Sequence, residues 1–159
     1  MKGDAQVIEH LNTTLKNELT AVNQYWLHYR LLDNKGLKKL AEFERHESID
    51  EMKHADRLAE RILFLEGLPN FQALGRLRIG ESVEEILRAD LELEVEAVEQ
   101  LKDAIAYCEQ VRDYVSRELF ADILKNEEEH IDTIEQQLEL LGSTGLQNYS
   151  QSQSDSAED

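Results

Sequence analysis

Six residues stand out by type and spacing. Glu51 and His54 are three positions apart, as are Glu127 and His130, and the second pair repeats the first at an offset of 76 (127 − 51 and 130 − 54). Glu18 and Glu94 share that offset (94 − 18 = 76), so each half of the chain carries one Glu followed 33 residues later (51 − 18 and 127 − 94) by Glu-x-x-His. On an α-helix, residues i and i+3 lie on one face, so each carboxylate and its imidazole point together. Four carboxylates and two imidazoles suit a pair of iron or manganese ions gripped inside a helical bundle. The motif alone is weak. With 23 Glu and 5 His in 159 residues, roughly 0.7 Glu-x-x-His pairs arise by chance.

The elements that must position these residues are legible in the hydrophobic pattern. From about Val7 to Asp33, Ile8, Leu11, Leu15, Val22, Tyr25, Tyr29 and Leu32 recur at helical spacing, and Asn34 and Gly36 break it. A second helix is predicted from Leu37 to about Leu65, ended by Gly67 and Pro69. Residues 66–81 have no helical period. Ser82 with Glu85 forms a capping box that opens a third helix, running to about Gln110. A fourth is predicted from about Asp113 to Leu141, stopped by Gly142 and Gly145, and Leu146 to Ser150 reads as the start of a short fifth. Residues 1–149 therefore read as one domain and 150–159 as a polar, disordered tail. Short links make two antiparallel hairpins, and the long middle segment joins them by crossing the length of the bundle. The expectation is an all-α, four-helix fold with one crossover.

Placement strengthens the six-residue reading. Glu18 falls in the stripe Leu11, Leu15, Val22, Tyr25 and Tyr29; Glu51 and His54 fall with Leu40, Glu47, Leu58 and Ile62. Glu94 lies with Leu87, Val98 and Leu101, and Glu127 and His130 with Phe120, Ile123, Ile134 and Leu138. All six occupy core positions. Burying four carboxylates costs several kcal/mol each unless something offsets the charge. Two divalent cations would do so, with neutral imidazoles completing each shell. A solvated cavity, or carboxylates protonated in pairs, is the metal-free alternative; zinc hydrolysis suits a carboxylate-bridged, oxygen-rich pair less well than redox iron does. Tyr25, seven residues beyond Glu18, faces the same way. It is positioned to donate an electron or a hydrogen bond to a ligand, or simply to pack in the core.

The formal charge of −17 (17 positive, 34 negative) argues against nucleic acid, whose binding needs phosphate neutralisation by Lys and Arg. It fits cationic partners, and it also serves plain solubility. A single cysteine, Cys108, leaves no internal disulfide and fits a reducing cytosol. Without a basic, then apolar N-terminal stretch, or any run near 18 apolar residues, neither a signal peptide nor a membrane span is expected. The expectation is a soluble cytoplasmic protein. Met52 lies about 130° around the second helix from the centre of the Glu51–His54 face. With Leu19 and Trp26, also off that face, it predicts an interface between two copies about a two-fold axis. His46 and Asp50, at i and i+4, project opposite Met52 as a surface pair or a weak iron site. His10 and His28 have no Glu three residues before them and read as surface residues.

The segments MKGDAQVIEHLN, NEL, HESIDEMKHADR, RILFLEGLPN, DYVSRELF, NEEEHID and GLQNY resemble the bacterioferritins, the haem-containing branch of the ferritins, over nearly the whole chain to about Tyr149. The resemblance implies a ferritin-like bundle plus a short fifth helix. It implies a di-iron ferroxidase centre of Glu18, Glu51, His54, Glu94, Glu127 and His130, with Glu51 and Glu127 bridging, where Fe(II) is oxidised by oxygen or peroxide. It further implies a 24-subunit shell of two-fold dimers storing ferric mineral, and a b-type haem held axially by Met52 of two subunits. It also supports the secondary iron site at His46 and Asp50, and allows a small redox protein that releases iron. Two rivals stand beside it: a soluble di-iron oxidase or peroxidase without mineral storage, and a non-catalytic helical protein.

Overall fold

The computed structural model describes residues 1–155. Four long helices and one short one appear in the predicted order: α1 (Ala5–Asn34), α2 (Lys38–Phe64), α3 (Val83–Val111), α4 (Tyr114–Thr144) and α5 (Leu146–Gln153). Three of them, α1, α3 and α4, begin where a side chain satisfies the free backbone amides. The Asp4 carboxylate accepts from the amides of Gln6 and Val7 at 2.8 and 3.0 Å, and Asp113 caps α4 through the Ser116 amide at 3.0 Å. The Ser82–Glu85 capping box is formed in both directions. Gly36, at φ +84°, allows the tight α1–α2 turn, and Arg112 in the left-handed region ends α3 one residue before the α4 cap.

The hairpins α1–α2 and α3–α4 are the main packing units, and α1 also packs on α3. Between the hairpins the chain from 65 to 82 runs along α1, held by polar side chains of that helix. Asn12 accepts from the Asn70 amide at 2.8 Å, Thr20 from Gly75 at 2.8 Å, Gln24 from Arg78 at 2.9 Å and His28 from Gly80 at 3.0 Å. From residue 12 to residue 28 is roughly 24 Å of helix at 1.5 Å per residue, so the crossover spans most of the bundle. At Gly80 a Cβ would sit 2.3 Å from the Ile86 amide nitrogen, so only glycine fits this close approach.

Two apolar clusters fill the two ends. One is built from Val7, Leu11, Leu15, Leu58, Ile62, Phe120 and neighbours; the other from Leu32, Leu40, Ile86, Leu87, Ile134 and Tyr149 with neighbours. Glu18, Glu51, His54, Glu94, Glu127 and His130 lie between them along their helices.

Several expectations need correction. Gly142 does not stop α4, which runs on to Thr144; the break comes at Gly145, at φ +83°. The fifth helix extends to Gln153 rather than Ser150, because Tyr149 buries its ring and donates to Gln137 Oε1 at 2.7 Å, and Gln153 is buried too. The start of the expected disordered tail is therefore helical; residues 156–159 lie outside the described residues. Leu19 is not on the outer face. It is buried in the first apolar cluster, since a helix this crowded buries more than one stripe. No helix among the described residues is long and apolar enough to cross a membrane.

Candidate metal centre

All six residues singled out by spacing converge in the polar layer and are buried. Their ligand atoms form two overlapping groups. Glu18, Glu51, His54 and Glu127 make one, and Glu51, Glu94, Glu127 and His130 the other, with the offered atoms of each group all within 4.8 Å of one another. Glu51 and Glu127 are common to both. His54 Nδ1 lies 3.4 Å from Glu18 Oε2 and 3.4 Å from Glu127 Oε1; His130 Nδ1 lies 3.2 Å from Glu51 Oε1 and 3.6 Å from Glu94 Oε1.

Every one of the six keeps a buried atom without a hydrogen-bond partner: Glu18 Oε2, Glu51 Oε1, His54 Nδ1, Glu94 Oε2, Glu127 Oε1 and His130 Nδ1. Buried polar atoms are ordinarily paired, and six orphans facing one space are what a pair of cations would satisfy. The donor set of carboxylate oxygens and imidazole nitrogens suits iron or manganese.

The electrostatics of the metal-free protein show the same crowding. Burial, then the charges of Glu51 and Glu127, push the Glu18 carboxyl well above its ordinary range, and burial with the Glu51 charge raises Glu127. Burial opposes the charge on His54, but the carboxylates of Glu127, Glu18 and Glu51 close beside it outweigh that and lift the imidazole to about 12. His130 is raised in the same way by Glu127, Glu47 and Glu51. Burial also works against the Glu51 charge, yet the neighbouring Glu18, His130 and His54 side chains hold its carboxyl far below the usual value. Without metal, protons on the imidazoles carry the compensating charge.

The ferritin family matches residues 8–143 through its ferritin-like domain. Among curated proteins, the bacterioferritin of Brucella melitensis biotype 1 is 52% identical over 151 residues, covering 95% of this chain and 94% of its own. That of Rhodobacter capsulatus is 49% identical over 149 residues (94% and 92%), and that of Streptomyces coelicolor 50% over 145 (91% and 87%). The chain belongs to the bacterioferritin family.

Within this family member the centre extends beyond the six residues. His130 Nε2 pairs closely with Glu47, so the ring proton sits on Nε2 and Nδ1 is left to face the centre, the arrangement by which a carboxylate orients a metal-binding imidazole. In the sequence Glu47 falls on the same α2 stripe as Glu51 and His54, with nothing in its spacing to mark this orienting role. Asn126 plays the matching part for His54, its amide 2.9 Å from Nε2. For Nδ1 to offer a lone pair, Nε2 must carry the proton and the amide must present its oxygen, which a flip of the Asn126 amide supplies. Tyr25 is fully buried, its hydroxyl donates to Glu94 Oε1, and its ring meets His130 edge-on at 6.5 Å. Burial and the surrounding acids, Asp90 first, push its phenol well above the ordinary tyrosine value.

Met52 lies outside the centre, 45% exposed, as does Trp26 at 43%. The Ser48 hydroxyl donates to the Val22 carbonyl at 2.8 Å, a register that brings Met52 level with Leu19 across the α1–α2 pair. His46 Nδ1 and Asp50 Oδ1 are 3.7 Å apart, with the His46 side chain 71% exposed. Asp50 also groups with Glu47 and His130, so of this pair only Asp50 borders the centre.

His28 is a second correction. It is fully buried, with Nδ1 2.9 Å from Asp90 Oδ1 and Nε2 accepting from the Gly80 amide. Its spacing to Tyr25, three residues, was the signal that it shares the buried face. His10 is half-buried, its ring 5.5 Å from that of Tyr107.

Proposed function

We propose that the protein is a ferroxidase and iron store. The observation carrying this reading is the pair of four-residue groups that share Glu51 and Glu127. Two Fe(II) ions are the substrates, one taken by Glu18 and His54, the other by Glu94 and His130, with Glu51 and Glu127 reaching both. Their oxidation yields two electrons, which with two protons reduce oxygen to hydrogen peroxide, or reduce peroxide to two waters. The four carboxylates neutralise the incoming charge and favour the ferric state. His54 and His130 give up protons as Fe(II) binds, Glu47 and Asn126 hold the rings in place, and Tyr25 holds Glu94.

Ferric product then collects as mineral inside a hollow shell of 24 subunits built from two-fold dimers, where the net charge of −17 favours cation entry. The dimer contact is the outer α1–α2 face. Met52, half-exposed there like Trp26, would hold a b-type haem through its thioether together with that of a second subunit. When bound, the haem would supply electron transfer toward a small redox protein that releases iron. Asp50, with His46, is a weaker iron site beside the centre, and the setting is the cytosol.

Aerobic addition of Fe(II) to purified metal-free protein, following ferric absorbance and particle size, tests the proposal. Oxidation well above the uncatalysed rate, with iron retained in a large particle, is the expected result. Oxidation by a small oligomer that retains no mineral would favour a soluble di-iron oxidase instead; no acceleration would refute both.

A further inference from the structure

A second buried polar cluster lies along the bundle from the six-residue centre. His28 on α1, Glu44 on α2 and Asp90 on α3 are all fully buried, and the atoms they offer lie within 4.8 Å of one another. Asp90 precedes Glu94 by four residues and Glu44 precedes Glu51 by seven, so the cluster sits one to two helical turns away, about 6–10 Å along the axes. It is not part of the centre, and the proposed ferroxidase step does not use it.

The hydrogen bonds here fix most of the protons. The Gly80 amide donates to His28 Nε2 at 3.0 Å, so that nitrogen is unprotonated. The ring proton must therefore sit on Nδ1, donating to Asp90 Oδ1 at 2.9 Å. Gln24 Nε2 donates to the same oxygen at 3.0 Å, its own carbonyl being taken by the Arg78 amide. With both nitrogens engaged, His28 is a neutral positioning residue and not a ligand. Two donors therefore converge on Asp90 Oδ1.

What remains are three buried oxygens without partners: Asp90 Oδ2 and both oxygens of Glu44. Among the described residues no Lys or Arg pairs with either carboxylate; the one ion-pair contact is that of His28. A proton shared between the two acids satisfies Asp90 Oδ2 and one oxygen of Glu44, and leaves the other bare. A water molecule can donate to two oxygens but leaves the charge uncompensated. A cation can take an oxygen from each acid, since the atoms they offer lie within 4.8 Å of one another, and it balances both carboxylates.

We propose that Glu44 and Asp90, oriented by His28 and Gln24, form a third buried cation site that takes one hard divalent ion such as Mn(II) or Fe(II). The preference follows from ligands that are all oxygen, two of them carboxylates, with no nitrogen or sulfur free to bind. This goes beyond the ferroxidase reading, which requires two ions per subunit and makes no use of Glu44.

The test is anomalous diffraction from crystals of the full-length protein grown with excess Mn(II), for the parent and for Glu44→Gln. The expected result is a manganese peak between Glu44 and Asp90 in the parent, lost in the variant, with the peaks at the six-residue centre unchanged. Asp90→Asn should lose the same peak, and the parent data decide the matter even if neither variant folds. Manganese at the six-residue centre with none at Glu44 overturns the proposal while leaving the ferroxidase reading intact. So does a peak that survives Glu44→Gln, or an infrared band of a buried protonated carboxyl that vanishes in that variant. Absence of manganese from the six-residue centre counts instead against the ferroxidase reading.

Discussion

Replacing Glu94 by Gln separates the cost of the centre from its use. The substitution keeps the shape and an oxygen that accepts from the Tyr25 hydroxyl, but removes one buried charge from a layer that already holds Glu18, Glu51 and Glu127. Glu94 Oε2 has no hydrogen-bond partner, an unsatisfied buried polar group costs about 1–3 kcal/mol, and the Gln amide can donate to a neighbouring carboxylate where Oε2 could not. For a chain of this size each kcal/mol moves Tm by roughly 2–4 °C. Metal-free Glu94→Gln should therefore melt several degrees above the metal-free parent. With metal the gap narrows. At a hundredfold excess over Kd each bound ion adds about 2.7 kcal/mol, and Glu94 belongs to only one of the two groups. The variant should gain about half the Tm increase that the parent gains. Thermal melts followed by circular dichroism, with and without Co(II), measure both quantities. A metal-free variant that melts lower than the parent, with an undiminished metal-dependent rise, would refute the argument that these carboxylates are strained until a metal arrives.

Further outcomes follow from the same geometry. Glu47→Gln weakens the carboxylate that orients His130 and should lower metal affinity about 10–100-fold, read by anaerobic Co(II) titration; unchanged affinity would show that His130 needs no orienting partner. In the metal-free protein His54 is raised from 6.5 to about 12 and Glu18 and Glu127 are raised from 4.5. Groups whose folded pKa is raised contribute stability below their unfolded values and lose it as pH rises toward the folded values, so the metal-free Tm should fall between pH 6 and 9. Fe(II) binding under anaerobic conditions should release protons, and a pH-stat that records none would contradict the protonated imidazoles. Met52→Leu should abolish the haem spectrum and leave Fe(II) oxidation near normal; retained haem would sink the axial assignment. Gly80→Ala forces a Cβ against the Ile86 amide and should cost about 1–3 kcal/mol, visible as a lower Tm; an unchanged Tm would mean the crossover shifts freely there.

Much of the fold was readable because its signals are local and repeated. The capping box at Ser82, the turn at Gly36 and the apolar periods placed four helices within a few residues of where they lie. The 76-residue offset exposed the six residues of the centre because each departs from an apolar stripe. Other features depend on tertiary contacts that no local pattern carries. Gly142 resembles a stop, yet α4 continues because its next turn supports α5, whose Tyr149 packs on the bundle and bonds Gln137. His28 lacks a Glu three residues before it, and its partners, Asp90 and the Gly80 amide, are 62 and 52 residues away. Glu44 looked like one more acid in a chain with 34 acidic residues; only three-dimensional packing reveals that it is fully buried with both oxygens unpartnered among the described residues. Leu19 was assigned outward from one helix alone, whereas the neighbouring helices decide its burial.

The central claim is that the two overlapping groups form one two-ion ferroxidase centre. Stopped-flow absorbance, with aerobic metal-free protein mixed at increasing ratios of Fe(II) to subunit, tests it most directly. The account predicts a fast ferric phase whose amplitude saturates at two Fe(II) per subunit and disappears in Glu51→Gln and Glu127→Gln, which touch both groups. A fast phase that saturates at one ion, or one that survives loss of either shared carboxylate, would contradict it.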